Sequence, residues 1–149
     1  MARVMGVDYG ARRVGVALSD DSLSFAFAKR VVQNDETLLN TIAQVAELEG
    51  VNLIVVGEAD NPAGGENTIQ RRVLIFAEAL RVHLGIRVET ISEAYSSAEA
   101  RRALHNETRA RSRTELPVDA AAAAIILQTY LDRRKHQAPV AQGSVAAEH

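Results

Sequence analysis

The feature that most constrains the fold is an apolar segment near the N-terminus that ends in a carboxylate. Residues 3–10 read Arg-Val-Met-Gly-Val-Asp-Tyr-Gly, and a second apolar segment, residues 14–18, follows a short polar turn. Two apolar strands joined by a turn that contains Gly predict an antiparallel hairpin. Asp8 stands at the end of the first strand, where a buried and unpaired carboxylate is costly, so it either caps a turn or binds a cation. For a single Asp beside a Gly, the turn is the commoner explanation.

The rest of the chain alternates between helix and strand patterns. Asn34 is a good N-cap for a helix that starts at Asp35, carries acids in its first turn and ends at Gly50. Residues 51–56 form an apolar run interrupted only by Asn52, which is typical of a strand buried on both faces. The other predicted elements are a strand at 24–32, a helix at 66–84 that ends at Gly85, a strand at 86–91, a short helix at 96–104, a loop at 105–116 and a final helix from Pro117 to about Lys135.

This order of elements predicts an α/β fold. A three-stranded meander followed by alternating helices and strands favours a mixed five-stranded sheet with helices on both faces. The chain has 149 residues, of which 47% are hydrophobic, so we expect one domain at 1–136 with a substantial core. Residues 137–149 are rich in Ala, Pro, Gly and Ser and are expected to form a disordered tail.

Composition excludes several classes of protein. The chain has no Cys, which excludes disulfides and thiolate zinc sites, and its four His are scattered without metal-ligand spacing. No apolar run is long enough to cross a membrane and no signal peptide is recognisable, so we expect a cytoplasmic protein with no membrane partner.

Charge is distributed unevenly along the chain. Residues 100–135 carry eight basic and four acidic groups, a net of +4, whereas residues 1–99 carry nine basic and fourteen acidic groups, a net of −5. This asymmetry suggests a basic face that binds nucleic acid, although a solvated helix face explains it about equally well.

Three acids stand at the ends of predicted elements: Asp8, Glu93 and Asp119. In open α/β sheets, functional groups gather at the carboxyl ends of the strands, and the run of Ala at 120–124 would let the last helix approach the sheet closely. Singly, Asp119 could simply favour the helix dipole and Glu93 could be a solvated loop residue. Together they predict an all-oxygen site for Mg²⁺ or Mn²⁺, and two such ions can clamp an in-line phosphodiester displacement.

These motifs resemble those of the YqgF/RuvX family in the RNase H-like superfamily. The first motif is residues 6–17, and the last is Val-Asp followed by five Ala and Ile-Ile-Leu-Gln-Thr-Tyr-Leu at residues 118–131. Between them the similarity continues through Gly57, Asn61, Gly64 and Gln70. It covers residues 3 to about 135, and the first and last motifs are specific in combination.

The resemblance implies an RNase H-like fold and a nuclease that depends on Mg²⁺ or Mn²⁺. Members are described as nucleases that mature the 5′ end of 16S rRNA or as Holliday junction resolvases, so the implied partners are pre-rRNA with a ribosomal precursor, or a four-way DNA junction. A resolvase that cuts two symmetric strands needs a two-fold homodimer. The acidic triad of the family falls on Asp8, Glu93 and Asp119, the same three acids that position alone selected.

The chain departs from the family pattern at two places. The D-E-R-x-[TS]-[TS] motif is Ser-Glu-Ala-Tyr-Ser-Ser at residues 92–97, so Ser92 and Ala94 replace the first Asp and an Arg that would contact phosphate or orient the acids. The G-[LI]-P-x-N motif is Gly-Glu-Ala-Asp-Asn at residues 57–61. Glu58 therefore lies where RuvC-like nucleases can place a carboxylate, and it is a further candidate metal ligand.

The remaining candidate site residues would bind nucleic acid: Arg12, Arg13, Asn61, Arg109, Arg111 and Arg113. Phosphate contacts from Arg predict binding that weakens steeply with salt. Because only 4% of residues are aromatic, base stacking is expected to be limited, although Tyr9 could stack a nucleotide or pack in the core.

The function that the sequence favours is a metal-dependent endonuclease acting on structured nucleic acid, with maturation of the 5′ end of pre-16S rRNA preferred over junction resolution. A non-catalytic RNA-binding factor with a relict site is the alternative of another class, and the altered motif at residues 92–97 is its support. Actin-like and sugar-kinase-like ATPases share the fold, but they need two such domains around the nucleotide.

Overall fold

The computed structural model describes residues 3–57, 71–91 and 120–134, which form a sheet with a helical layer on each face. For the elements within the described residues, the order agrees with the order expected from the sequence. The elements are β1 (Arg3–Tyr9), β2 (Arg13–Ser19), β3 (Ala26–Gln33), α1 (Leu38–Glu49), β4 (Val51–Gly57), α2 (Arg71–Leu84), β5 (Arg87–Thr90) and α3, whose described part is 120–134.

The five strands lie in the order β3-β2-β1-β4-β5, with β1 at the centre. The hairpin β1–β2 and the pair β2–β3 are antiparallel, whereas β1, β4 and β5 are parallel to one another. The predicted mixed five-stranded sheet is therefore confirmed. Because β1, β4 and β5 are parallel, their carboxyl ends meet at one edge of the sheet, which we call the Asp8 edge.

Each face of the sheet buries its own core. On one face, α1 and α2 cover side chains that include Met5, Val7 and Ile54. On the other face, α3 covers Val4, Ala17 and Val55. Side chains alternate between the two faces along a strand, which is why the central strands carry apolar residues that point to both faces. The prediction of helices on both faces is confirmed.

The start of α1 differs from the sequence prediction. The helix begins at Leu38, with Thr37 at the N-cap position and no acid in its first turn. Asn34 instead donates its side-chain amide to the carbonyl of Gly10 (2.7 Å), and its backbone N–H binds the carbonyl of Arg12 (2.9 Å). Asn34 was expected to cap the helix, but β3 extends to Gln33 and Asn34 fixes the hairpin turn. The predicted end is confirmed, because Gly50 adopts the left-handed conformation.

The start of β3 also differs, because the strand begins at Ala26 rather than at residue 24. The carboxylate of Asp20 accepts the backbone N–H groups of Ser24 (2.9 Å) and Phe25 (3.2 Å), and these bonds hold both residues in the turn. Predicted elements at 96–104 and 105–116, the start of the second helix at 66–70 and the tail at 137–149 lie outside the described residues. No helix in the described ranges is both long enough and apolar enough to span a membrane.

Candidate active site

Asp8 lies in the central strand, one residue before its end, since Tyr9 still pairs with Val14. Its partner on β2 is Gly15 and its partner on β4 is Gly57. Residues paired across a sheet project to the same face, so the carboxylate emerges between two neighbours that have no side chain. It belongs to the face that α3 covers, and only 9% of the residue is exposed. Neither strand neighbour places a side chain beside the carboxylate, and Ile126 and Ile91 lie close to Gly57 on this face.

On the face that carries Asp8, α3 lies very close to β1. A Cβ atom placed on Gly6 would lie 2.6 Å from the Cβ of Leu127 and 2.9 Å from the carbonyl oxygen of Ala123. Ala120, Ala123 and Ala124 are fully buried, so small side chains line the contact on the helix side. The expectation that the Ala run allows a close helix–sheet approach is confirmed.

The direction of α3 follows from two contacts one turn apart. A Cβ atom on Gly57, at the carboxyl end of β4, would lie 3.2 Å from Ile126 and 3.2 Å from Ile91. Tyr130 donates its hydroxyl to Glu89, which lies further inside β5. The helix therefore runs away from the Asp8 edge, and its N-terminal end points toward that edge.

The other candidate ligands lie outside the described residues. Glu58 directly follows Gly57, Glu93 is two residues beyond Ile91, and Asp119 immediately precedes the described part of α3. Within residues 3–57, 71–91 and 120–134 no three acidic or His side chains lie close enough to hold a metal ion. The candidate metal site thus has one described member, Asp8.

Two of the candidate nucleic-acid residues are described. Arg12 is exposed in the turn between β1 and β2, and Arg13 is exposed at the start of β2, where it pairs with Gln33. Arg13 and Gly15 project to the same face because they are two residues apart in one strand. Arg13 therefore lies on the same face as Asp8 and beyond it, toward the Asp8 edge. Asn61, Arg109, Arg111 and Arg113 lie outside the described residues.

Tyr9 projects to the opposite face from Asp8. Its ring stacks on Phe76 of α2, with ring centroids 4.3 Å apart, and the guanidinium carbon of Arg72 lies 5.5 Å from the centre of the Tyr9 ring. The two sequence interpretations of Tyr9 are thereby decided in favour of packing. The sequence reasoning did not select Arg71 and Arg72. The available signal was strand alternation, which places Tyr9 on the face opposite to Asp8.

Two polar side chains fix α3 laterally on the sheet. Gln128 is 5% exposed; its amide accepts the N–H of Ala26 (2.9 Å) and donates to the carbonyl of Ser24 (2.9 Å). On the other side of the helix, Tyr130 binds Glu89; burial raises the pKa of Tyr130, and the negative charge of Glu89 raises it further. Sequence reasoning had no signal for either contact, because the partners are distant along the chain.

Comparisons with known proteins give a consistent result. A family model described as "RuvX: Holliday junction resolvase" matches residues 2–133. A protein of Anaeromyxobacter sp. (strain K) named "Putative pre-16S rRNA nuclease" is 39% identical over 134 residues, which cover 89% of this chain and 98% of that protein. A protein of Desulforudis audaxviator (strain MP104C) with the same name is 34% identical, covering 89% and 96%.

Among solved structures, RuvC of T. thermophilus in complex with a Holliday junction substrate matches with a TM-score of 0.64 and 14% identity. The match covers 91% of this chain and 97% of RuvC. This similarity confirms the RNase H-like fold.

Proposed function

The chain belongs to the RuvX family, and from that premise we propose that it is a metal-dependent nuclease that hydrolyses phosphodiester bonds in structured RNA. Its relatives named for pre-16S rRNA suggest that the substrate is the precursor 5′ end of that RNA. The observation that carries the proposal is the position of Asp8. It is a nearly buried carboxylate on the central strand, flanked by Gly15 and Gly57.

The donor set fits a hard divalent cation. Asp8, Glu93 and Asp119 would supply carboxylate oxygens, the ligands that Mg²⁺ and Mn²⁺ prefer, and Glu58 is a fourth candidate. Their positions along the chain support the grouping. Glu58, Glu93 and Asp119 each lie one or two residues from a described residue of the site, namely Gly57, Ile91 and residue 120, respectively. When bound, two divalent ions would activate water and neutralise charge on the leaving oxygen.

The side chains of this chain would do the remaining work. Asp8 would fix the position of the cation, since its backbone is held on both sides by strand pairing. Arg13, on the same face, and Arg12, in the adjacent turn, would hold phosphates next to the scissile one. Arg suits this role because its planar guanidinium donates two parallel hydrogen bonds to a phosphate.

The second candidate function is resolution of four-way DNA junctions. The description of the family model favours it, and the fold is that of RuvC. The chemistry at phosphorus would be the same, so only the nucleic acid differs. Two symmetric cuts would require a two-fold dimer.

The test is a cleavage assay of the wild type and Asp8→Asn. Each protein is incubated with an RNA that carries the 16S 5′ leader and with a four-way DNA junction, in the presence and absence of Mn²⁺. We expect Mn²⁺-dependent cutting of the leader RNA that falls at least about 100-fold in Asp8→Asn, because even the loss of an outer-shell partner commonly costs 10- to 100-fold. Preferential cutting of the junction would select the second candidate.

Asp21→Asn is the matched control. It removes the same charge from a residue that is 58% exposed and paired with Arg3 (3.1 Å), at the opposite edge of the sheet. Cleavage by this variant should equal that of the wild type. If folded wild type bound the leader RNA but cut neither substrate, the nuclease proposal would be wrong and the relict-site RNA-binding factor would replace it.

A further inference from the structure

A second group of basic residues lies at the Asp8 edge, on the face opposite to Asp8. Arg71 is exposed and Arg72 is half-buried at the described start of α2. Arg72 lies over the ring of Tyr9, the residue that follows Asp8. We call Tyr9, Arg71 and Arg72 the Tyr9 basic surface.

We propose that the Tyr9 basic surface binds the phosphodiester backbone of the nucleic acid beyond the scissile phosphate, carrying the strand over the edge of the sheet onto the α2 face. The inference rests on the proposed function, because it extends the substrate path away from Asp8. It assigns a binding role to Arg71 and Arg72, which are not among the candidate residues of the site itself.

The position of Arg72 is fixed by packing. Tyr9 is held by its pairing with Val14 and by stacking on Phe76, which is 6% exposed. A guanidinium placed over such a ring gains a cation–π attraction and loses part of its conformational freedom before any ligand arrives. Binding a phosphate there therefore requires less ordering than binding at a mobile side chain.

Arg81, in the same helix, provides a control position. Its guanidinium donates to the carbonyl of Val88 (2.6 Å) and is paired with Glu78, so it connects α2 to β5. It lies at the other end of α2, away from the Asp8 edge. The first turn of α2, as described, has no acid that would oppose a phosphate near Arg71 and Arg72.

One described acid, Asp35, is held next to the hairpin turn but forms its hydrogen bonds elsewhere. Asp35 follows Asn34, whose amide binds the carbonyl of Gly10 in the hairpin turn. The carboxylate of Asp35 accepts hydrogen bonds from the N–H (2.9 Å) and the hydroxyl (2.6 Å) of Thr37. These two bonds direct it toward the start of α1.

The experiment measures binding rather than cleavage. Arg71→Gln, Arg72→Gln and Arg81→Gln are each prepared in the Asp8→Asn background, so that the substrate stays intact. Affinity for the fluorescently labelled leader RNA and for the four-way DNA junction is measured over a series of salt concentrations. The slope of log K against log salt is negative. Each lost phosphate contact makes it less steep, by about 0.7 for a single strand and about 0.9 for a duplex.

We expect Arg71→Gln and Arg72→Gln each to make the slope less steep by that amount. Arg81→Gln, with the same change in net charge, should leave the slope unchanged. A less steep slope in all three variants would indicate a general effect of net charge and would overturn the proposal. An unchanged slope in the first two would also overturn it. If only one nucleic acid shows the effect, that one is the ligand of the surface.

Tyr9 provides an independent test. Tyr9→Phe keeps a ring under Arg72 and should bind RNA as the parent does. Tyr9→Leu removes the ring and should weaken binding about two- to fivefold, the equivalent of an exposed cation–π contact. Equal binding by the two variants, both shown to be folded by thermal melting, would contradict the role of the ring. Failure of the proposed nuclease appears separately, as absent cleavage by the wild type with Asp8 intact.

Discussion

Replacing Gly6 with Ala should separate α3 from the sheet at the point that positions the candidate site. The new Cβ would meet the Cβ of Leu127 at 2.6 Å and the carbonyl oxygen of Ala123 at 2.9 Å. Neither atom can rotate away, because one is backbone and the other is attached directly to it. Gly6 does not have a positive φ angle, so Ala suffers no backbone strain there and the effect is one of packing.

The magnitude follows from the contact distances. Carbon atoms in contact are ordinarily about 3.5–4.0 Å apart, so α3 must move outward by about 1 Å. Overpacking of this kind costs about 1–3 kcal/mol of the free energy of unfolding. For a chain of this length, 2 kcal/mol corresponds to a decrease in Tm of roughly 4–8 °C. A displacement of about 1 Å in a catalytic group can lower the rate 100-fold, and Asp119 immediately precedes the described part of α3.

The assay compares Gly6→Ala with Val16→Ala. Val16 is 1% exposed and belongs to the core under α1 and α2, so its truncation should destabilise the chain by roughly 2 kcal/mol without moving α3. Urea unfolding gives the free energies, and Mn²⁺-dependent cleavage of leader RNA is measured well below both melting temperatures. We expect both variants to lose stability, but only Gly6→Ala to lose about 100-fold in cleavage rate.

Two results would refute this reasoning. A Gly6→Ala variant that is as stable as the wild type would show that the helix–sheet contact is not tight. A destabilised Gly6→Ala variant that cuts at the rate of Val16→Ala would show that the distance between α3 and the sheet does not determine the geometry of the site.

Two further predictions concern polar contacts. Gln128→Leu leaves the N–H of Ala26 and the carbonyl of Ser24 without their present partner, and we expect a loss of about 1–3 kcal/mol in urea unfolding; an unchanged value would refute the role of this amide. For Asp20, burial acts to raise the pKa, but hydrogen bonds from the Ser22 hydroxyl and from backbone N–H groups outweigh it and lower the pKa below its usual value of 3.8. Because the folded-state pKa is the lower one, this stabilisation is present above about pH 3.8 and is lost as the pH falls through the folded-state value. Asp20→Asn should therefore lose less stability than the wild type when urea unfolding is repeated at decreasing pH, and parallel curves would contradict the assignment.

The order and type of the elements could be predicted from the sequence because each depends on local patterns. The apolar run at 51–56 and the glycine at position 50 specify β4 and the end of α1 without reference to the rest of the chain. The same local reasoning was wrong about Asn34 and about the start of β3. In both places a side chain binds a backbone group: Asn34 binds Gly10, 24 residues away, where a helix cap was expected, and Asp20 binds the N–H of Ser24 in a local turn that the strand pattern did not reveal.

The candidate site divides in the same way. Asp8 could be selected from its position after an apolar strand, and the resemblance of motifs supplied Glu93 and Asp119, which stay predictions. The sequence could not show that Tyr9 stacks on Phe76 with Arg72 above it, because the choice between packing and base stacking depends on what α2 presents.

By itself, then, the sequence determined the alternation of strands and helices, the acid at the end of the first strand and the family. Only the tertiary structure decided that Gly57 flanks Asp8 on the side opposite to Gly15, and that Gly6 lets α3 lie against β1. It also decided that Gln128 binds Ala26, 102 residues away. Local patterns are fixed by backbone geometry within a few residues, whereas these contacts exist only after distant segments pair and pack, and no short stretch of sequence contains both partners.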